Sequence, residues 1–479
     1  MAQTENIYGD DAAKAAKATA ESDEILTDFT NSFAFDKRLF DAEARVALAW
    51  SDALFHAGVL NRLEAERLRN GLHSIVKRAG FDRNYFNDLP AENVQSFVDA
   101  RLVQLVGETG RKLEIGRSTE DRAATVLRLW LREEIEEISE LARLFQVALI
   151  ETAERGGRGA VLPSYAHLQR AQPILWAHWC LAFFEMLARD RERLDEVWRR
   201  VNVLPLGAGA AAAGTSFEID REQLARDLGF EGVSLNSVDA VSDRDFAVEF
   251  VAACALLMTH LSRFAADLIL YASEEFGFVE FVQANSDAVN RAAREKNLRA
   301  LELVRGKVGR VFGHQIALLT TLKGLPTAIS DDLREDREAV FDAADSVKNS
   351  LRAAAAVLEN LRVRAETARA AASENDYSTA RQLDDYLILK DVSVSAAHQT
   401  VEKILQYAVS NSKKPHELTL AEMQKYSAQI EVDIFKFLSL EQSLAGKSQI
   451  GGTSPERVSE SLAAARGALE MEQTSRDKK

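Results

Sequence analysis

Hydrophobic residues recur at every third or fourth position along residues 298–323. This spacing is typical of an amphipathic helix with one buried apolar stripe. Gly306, Gly309 and Gly313 lie in the same segment, although a glycine costs a helix interior about 1 kcal/mol relative to alanine. A helix keeps such glycines where other backbones approach it closely, which predicts that this helix lies in the middle of a bundle. The polar residues 286–297 predict a loop that precedes it.

Proline is rare in this chain, and long intervals contain none. Only 7 of the 479 residues are proline, and the interval 206–325 has none. Because proline breaks helix interiors, such intervals permit very long helices, and the Ala, Leu, Glu and Arg residues that dominate them are strong helix formers. The sequence therefore predicts an all-α fold with long helices at about 122–155, 173–202, 236–274 and 298–323.

The helical pattern and the breaks within it predict three helical domains. The first covers residues 1–110, of which 1–24 have little apolar content and are expected to form a flexible tail. The second domain, 111–355, holds the long helices as a central bundle. The third domain, 356–479, is smaller.

Charge and hydropathy exclude several classes of partner. The net charge of −15 argues against binding to the phosphate backbone of a nucleic acid. The most apolar run, 246–272, contains Glu249, His260, Arg263 and Asp267, which a membrane span would rarely tolerate. The first residues are acidic and lack the apolar core of a signal peptide. We therefore expect a soluble, cytoplasmic protein.

The sequence shows none of the common cofactor or metal motifs. It has no phosphate-binding loop and no dinucleotide-binding fingerprint. Its eight histidines show no i, i+4 metal spacing, so we expect neither a cofactor nor a metal. Cys180 and Cys254 lie in apolar runs and are predicted to be buried free thiols.

Two polar segments leave a structural and a functional interpretation open. In residues 115–122, Ser118 or Thr119 is placed to cap the helix that follows, and capping is at least as well supported as a role in binding. In residues 162–173, His167 lies among polar side chains between two prolines. It fits either a core histidine or a ligand-facing one.

Two further segments combine turns with polar groups. Residues 205–215 are rich in glycine and alanine, which predicts a tight loop whose backbone amides approach another group closely. In residues 235–250, Asn236 is predicted to cap a helix whose first turns carry several charged groups.

Segments along nearly the whole chain, in order, match one known family. They include FTNSFAFDKRL at 29–39, HLQRAQP at 167–173, LNSVDAVSDRDF at 235–246, ELVRGKVGRV at 302–311 and GGTSPERV at 451–458. With these segments the chain resembles the argininosuccinate lyase family of the fumarase/aspartase superfamily. The resemblance implies a homotetramer with a twenty-helix core, in which each active site is shared by three subunits.

The chemistry that this resemblance implies is the elimination of argininosuccinate to fumarate and arginine, a step of arginine biosynthesis. A base removes a proton next to a carboxylate, and nearby cations stabilise the resulting charge. Matching positions give His167 and Lys296 as catalytic candidates. The family's serine base falls on Asn290, and Ser286 substitutes only if the loop is longer. The implied substrate-binding residues are Ser32, Ser118, Asp121, Gln169, Asn236, Ser237, Asn297 and Arg337.

Several positions depart from the family pattern. Thr119 and Glu120 replace an arginine and an asparagine that hold a substrate carboxylate, and Glu120 repels such a group. Glu295 replaces a lysine, Ala166 a threonine and Ile329 a tyrosine. Three functions therefore stay open. They are argininosuccinate cleavage with a rearranged loop, a lyase reaction on another small molecule, and a non-catalytic structural or regulatory role.

Overall fold

The structure is a computed structural model that describes residues 22, 24–157, 159–282, 291–327, 330–373 and 376–476. Most of these residues are helical, which confirms the predicted all-α fold class. Of the predicted tail, residues 1–21 and 23 lie outside the described residues.

Two compact units make up the chain, and each is assembled from three separate segments. The first contains Met1–Glu137, Leu194–Ala252 and Gly313–Ala344, and the second contains Ile138–Arg193, Ala253–Phe312 and Asp345–Lys479. The three-domain division of the sequence remains a prediction.

Helices are the main elements of both units. From residue 33 onward, in chain order, they are α1 Phe33–Asp36, α2 Phe40–His56, α3 Arg62–Phe81, α4 Val94–Val106, α5 Thr119–Arg155, α6 Trp176–Val201, α7 Arg221–Leu228, α8 Ser237–Ser242, α9 Asp245–Tyr271, α10 Arg291–Leu322, α11 Asp336–Glu359, α12 Ala365–Ser373, α13 Asp376–Leu389, α14 Val394–Ser410, α15 Leu420–Gln424, α16 Ile434–Phe437, α17 Leu440–Ala445 and α18 Pro455–Arg476.

Short strands form three two-stranded sheets. The antiparallel pairs are β1 Val161–Ala166 with β2 Gln169–Leu175, and β5 Val279–Phe281 with β6 Leu361–Val363. The parallel pair is β3 Val203–Leu204 with β4 Gly232–Val233.

The β1–β2 hairpin lies in the segment where the sequence analysis predicted a polar site but no strand. Its two-residue turn consists of His167 and Leu168, with φ values of 54° and 58°. Both residues are in the left-handed region, which side-chain-bearing residues adopt infrequently. Hairpin turns of this kind usually contain glycine or asparagine, so His167 and Leu168 are no turn signal at the level of sequence.

The predicted helix 236–274 is wrong as a single helix, because the chain leaves the helical conformation between α8 and α9. Asp243 adopts an extended backbone, with φ −64° and ψ 126°. Its Oδ1 accepts a 2.8 Å hydrogen bond from the backbone N–H of Asp245, at the start of α9. A side chain that serves a new helix start stabilises the break. The other three predicted long helices are present, with ends shifted by at most seven residues. Helix α10 begins at Arg291, so residues 291–297 are helical and not part of the predicted loop.

Helix α9 is the most apolar of the long helices. By length and composition it could cross a membrane, but 61% of its most apolar window is buried inside the protein. Its Cys254 and the Cys180 of α6 are buried free thiols, as predicted. Burial raises the pKa of both thiols, which keeps them protonated and unreactive.

The glycines of α10 face open space within this chain. A methyl group built at Gly306, Gly309 or Gly313 meets no heavy atom of the described residues within 4 Å. The close backbone approach predicted at these positions is therefore not made by the described residues of this chain. The same helix exposes apolar side chains, among them Leu303, Ile316 and Leu319.

Candidate active site

A cleft in the first unit gathers residues that are far apart in sequence. It lies where the start of α5 meets the start of α4, the residue before α1, and the start of α11. Its volume is about 560 Å³ including its open mouth. Ser32 and Arg337, both predicted to bind substrate, line it, as do Thr119 and Glu120. We call it the first-unit cleft.

One buried carboxylate holds two of these residues in place. Asp36 has no exposed surface, and its Oδ2 accepts hydrogen bonds from Ser32 Oγ at 2.8 Å and from Arg337 Nη1 at 2.7 Å. Its Oδ1 accepts a 3.0 Å hydrogen bond from the backbone N–H of Val94. Burial raises the pKa of Asp36, while Arg337 and the hydrogen bonds oppose that shift. Asp36 therefore positions Ser32 and Arg337.

The other two arginines of the cleft are also paired. Arg244 forms a buried ion pair with Asp336 at the start of α11. Arg334 lies 3.1 Å from a carboxylate oxygen of Glu92 and 3.2 Å from one of Asp331. Since each guanidinium has a carboxylate beside it, the cleft offers little uncompensated positive charge to an anion.

Glu120 differs from these paired groups. It lies in the first turn of α5, is half-buried and lines the cleft. Among the residues that the structure describes, its carboxylate has neither a hydrogen-bond nor an ionic partner. The neighbouring Thr119 accepts a 3.3 Å hydrogen bond on its backbone oxygen from Gln95 Nε2. Glu120 is thus a carboxylate available to a ligand.

Ser118 and Asp121 cap helix α5 from both sides of its first turn. The backbone N–H of Asp121 donates to Ser118 Oγ at 3.2 Å, and the backbone N–H of Ser118 donates to Asp121 Oδ1 at 2.9 Å. This reciprocal arrangement is a capping box. The capping interpretation of Ser118 is therefore confirmed, while its role in binding substrate stays a prediction.

The second carboxylate oxygen of Asp121 binds the backbone of the glycine-rich loop 205–215. Asp121 Oδ2 accepts hydrogen bonds from the backbone N–H groups of Gly207 at 3.1 Å and Gly209 at 3.0 Å. The group that the loop amides were predicted to approach is this carboxylate. Gly209 has φ 73°, and a methyl group there would lie 2.0 Å from the carbonyl oxygen of Gly214. Only glycine fits this position without rearrangement.

Asn236 and Ser237 lie at the start of α8, where Ser237 contacts the same loop. Asn236 Oδ1 accepts hydrogen bonds from the backbone N–H groups of Val238 and Asp239, both at 3.0 Å, which confirms the predicted cap of α8. Ser237 Oγ donates to the carbonyl oxygen of Ala212 at 2.5 Å. Neither residue lines the first-unit cleft.

The remaining candidates belong to the second unit. His167 and Gln169 are exposed at the tip of the β1–β2 hairpin. Lys296 is exposed on α10, whereas Asn297 is only 5% exposed and is hydrogen-bonded to Asn360 at 3.3 Å. Ser286 and Asn290, the candidates for the base position, lie outside the described residues. The assigned roles of all these residues stay predictions.

The sequence analysis did not identify the buried carboxylates that hold the lining residues of the cleft in place. It singled out neither Asp36, which lies in the matched segment 29–39, nor Asp336. Charged residues lie beside both carboxylates in sequence, so the local sequence contains no signal that they are buried. Groups of three or more histidine, cysteine, aspartate or glutamate residues suited to a metal are absent from the described part of the chain.

Comparison with known proteins gives both a family and a fold. The model of the Lyase family matches residues 16–313, and the model of the argininosuccinate lyase C-terminal region matches residues 377–445. A crystal structure of EDDS lyase in complex with formate superposes with a TM-score of 0.79 at 24% identity, covering 94% of this chain and 89% of the other.

A second solved structure shares the same fold. The 3-carboxy-cis,cis-muconate lactonizing enzyme from Pseudomonas putida superposes with a TM-score of 0.72 at 20% identity, covering 90% of this chain and 95% of the other. These proteins have the fold of the fumarase/aspartase superfamily. Their similarity to this chain establishes its architecture.

Proposed function

The chain belongs to the Lyase family, and on this premise we propose that it catalyses an elimination that releases fumarate or a close analogue from a substituted succinate. A base takes a proton from the carbon next to a carboxylate, and the electron pair of that C–H bond forms the new C=C bond. The amine leaves with the electron pair of the C–N bond. Such a reaction requires a base of suitable pKa and groups that stabilise the charge on the carboxylate.

Glu120 carries the proposal about the substrate. It is the carboxylate of the first-unit cleft without a described partner, whereas Arg244, Arg334 and Arg337 are each paired with a carboxylate. An unpaired carboxylate attracts a cationic group and repels an anionic one. We therefore assign a cationic or neutral substituent of the substrate, rather than a succinyl carboxylate, to the space beside Glu120.

This assignment favours a lyase reaction on a substrate other than argininosuccinate. Argininosuccinate cleavage in arginine biosynthesis is the reaction that the sequence resemblance implies. Thr119 and Glu120 stand, however, where that family has an arginine and an asparagine that hold a carboxylate, and both line the cleft. Loss of such groups from a dedicated site lowers reaction rates by orders of magnitude.

Assembly is a second part of the proposal. We propose a homotetramer in which α10 packs against copies of itself and of other long helices. The exposed fractions of Leu303, Ile316 and Leu319 on this one helix are 58%, 66% and 50%. Large exposed apolar surface on a long helix supports burial against another subunit. In this assembly His167 and Lys296, as the proposed catalytic groups, would serve sites shared between subunits.

A non-catalytic role is the second candidate, and the pairing of Glu295 favours it. Glu295 stands where the family has a lysine that stabilises charge, and it lies 2.7 Å from Arg291 in an exposed i, i+4 pair. A cation has thus been replaced by an anion with its own partner. The base position, Asn290, also lacks a group able to accept a proton at neutral pH.

The test is fumarate turnover in both directions with the purified full chain. We expect slow or absent release of fumarate from argininosuccinate, well below a typical turnover of about 10 per second. In the reverse direction, we expect the protein to consume fumarate together with at least one cationic amine from a panel. Loss of the ultraviolet absorbance of fumarate measures this consumption. Fumarate that is neither released nor consumed would support the non-catalytic candidate and contradict the lyase proposal.

A matched pair of variants separates the role of Glu120 from a general effect of charge. Glu120→Gln should lower kcat/KM for the cationic amine about tenfold, corresponding to about 1.4 kcal/mol. Glu108→Gln is the control, because Glu108 is 87% exposed and lies outside the cleft. Equal activity of the Glu120→Gln variant and the unmodified chain would overturn the assignment of a cationic substituent to Glu120.

A further inference from the structure

The second unit contains a separate cleft between β2 and the C-terminal helices α13, α16 and α17. Its volume is about 1310 Å³ including its open mouth. Gln172, Asp385, Leu389, Phe437 and Lys447 are among its lining residues. We call it the C-terminal cleft. It shares no lining residue with the first-unit cleft, and the proposed elimination does not use it.

Lys447 is the unusual group of this cleft. It is half-buried, and its Nζ donates to the carbonyl oxygen of Ser443 at 2.5 Å and to Ser443 Oγ at 3.1 Å. Both acceptors are neutral, and among the described residues no carboxylate forms an ion pair with Lys447. Burial lowers the pKa of its ammonium group. A partly desolvated cation that forms no ion pair with a described residue favours the binding of an anionic group.

Asp385 provides an opposite charge in the same cleft. Its side chain is 54% exposed and lies 3.9 Å from Arg381, four residues earlier on α13. Exposed pairs of this kind contribute little, so they yield easily to a ligand. Asp385 is also close enough to Lys447 to oppose the lowering of that residue's pKa. The cleft, which Arg381 also lines, thus presents Lys447 as a cation and Asp385 as a weakly paired anion to one small ligand.

The rest of the wall combines apolar surface with amide groups. Leu389 and Ile388, on the same helix as Asp385, are 72% and 37% exposed, and Phe437 lines the cleft beside them. Gln442 adds a side-chain amide. Apolar walls with a few polar anchors are typical of sites for small organic molecules.

From this arrangement we propose that the C-terminal cleft binds a free α-amino acid with an apolar side chain. The α-carboxylate pairs with Lys447, the α-ammonium with Asp385, and the apolar side chain packs on Ile388, Leu389 and Phe437. Each charged group of such a ligand then meets its opposite, and the side chain covers apolar surface that is otherwise exposed.

Calorimetric titration of the full chain with L-leucine tests the proposal. We expect saturable binding with a dissociation constant below about 10 mM. Lys447→Met keeps the aliphatic stem and removes the charge, and it should weaken binding at least about tenfold. Lys403→Met, at an exposed lysine of α14 outside the cleft, is the matched control and should bind as the unmodified chain does.

Ligand analogues and a second variant test each charge separately. 4-Methylpentanoate, which lacks the ammonium group, should bind more weakly than leucine, and leucinamide, which lacks the carboxylate, should not bind. Asp385→Asn changes an exposed residue and is expected to fold; it should weaken leucine binding and leave 4-methylpentanoate binding unchanged. No leucine binding, or leucine binding that is unaffected by Lys447→Met and Asp385→Asn, would overturn the proposal.

Discussion

Arg337 Nη1 donates a 2.7 Å hydrogen bond to Oδ2 of Asp36, a residue with no exposed surface. The two residues are 301 positions apart in sequence. Their pairing joins the short helix α1 to the start of α11 and fixes Ser32 through the same carboxylate. The polar side of the first-unit cleft therefore depends on a charge that no ligand can reach.

Removal of this partner should be costly. Arg337→Met leaves Asp36 as an uncompensated buried charge, and we expect the free energy of unfolding to fall by about 3 to 5 kcal/mol. Arg334→Met is the control, because Arg334 is 36% exposed and pairs with exposed carboxylates; it should cost about 1 kcal/mol or less. Urea unfolding of both variants measures the difference, and equal losses would contradict this account.

The carboxylate of Asp121 should control the order of the glycine-rich loop. Asp121→Asn keeps the side-chain volume but replaces one carboxylate oxygen with an amide NH2 group, which cannot accept a hydrogen bond. Either the backbone N–H of Ser118 or those of Gly207 and Gly209 then lose their acceptor. We expect a loss of about 1 to 3 kcal/mol in stability and faster hydrogen exchange at Gly207 and Gly209. Ser118→Ala removes only the helix cap, should cost about 1 kcal/mol, and should leave the loop exchange slow.

Much of the architecture follows from the local sequence. Helical periodicity and the scarcity of proline predicted long helices, and Asn236 was predicted to cap a helix. Both predictions depend on neighbouring residues, and the structure confirms the helical fold and the cap. The break at Asp243 was missed because the hydrophobic pattern continues across it. It arises from a side-chain hydrogen bond to the next helix start, which competes with the helix on local terms.

The site was less accessible to sequence reasoning because its partners are distant. The loop 205–215 predicted that its amides approach some group, but Asp121 as that group lies 86 residues from Gly207. Likewise, nothing local pairs Asp36 with Arg337. The substitution at Glu120 was visible in sequence, whereas its lack of a partner among the described residues is visible only in the structure.

The acidity of Glu422 gives a prediction about pH. Its Oε1 accepts from Lys413 Nζ at 2.7 Å and its Oε2 from the backbone N–H of Thr419 at 2.8 Å. The hydrogen bond from Lys413, followed by those from Thr419, lowers the pKa of Glu422 to about 2 from the usual 4.5. Because the pKa of Glu422 is lower in the folded state than in the unfolded state, ionised Glu422 stabilises the fold. This contribution to stability is present above pH 4.5 and is lost as the pH falls towards 2.

Carboxyl NMR titration checks this value directly. Lys413→Met should raise the pKa of Glu422 towards 4.5, since it removes the largest contribution. Lys403→Met, at an exposed lysine of the same unit, should leave the titration unchanged. A normal pKa of Glu422 in the unmodified protein would show that the hydrogen bonds to Lys413 and Thr419 do not persist in solution.

The exposed face of α10 should determine the state of assembly. Ile316→Glu puts a charge on a residue that is 66% exposed in the single chain and buried in the proposed homotetramer. We expect light scattering at micromolar concentration to show a tetramer for the unmodified chain and smaller species for this variant. Leu105→Glu, at a 52% exposed position of α4, is the control. A stable monomer of the unmodified chain would rule out this assembly.

Repair of the loop alone should not restore argininosuccinate cleavage. Asn290→Ser with Glu295→Lys returns a base and a cation, but Glu120 still places a negative charge in the cleft, at a position where the sequence resemblance implies that a substrate carboxylate binds. Catalysis depends on prior orientation, and a misplacement of about 1 Å can cost about a hundredfold. We expect strong non-additivity, with fumarate release rising only when the loop pair is combined with a second group of substitutions. That group is Thr119→Arg, Glu120→Asn, Ala166→Thr and Ile329→Tyr. Cleavage restored by the loop pair alone would mean that the substrate pocket is intact and that the chain is an argininosuccinate lyase disabled at one step.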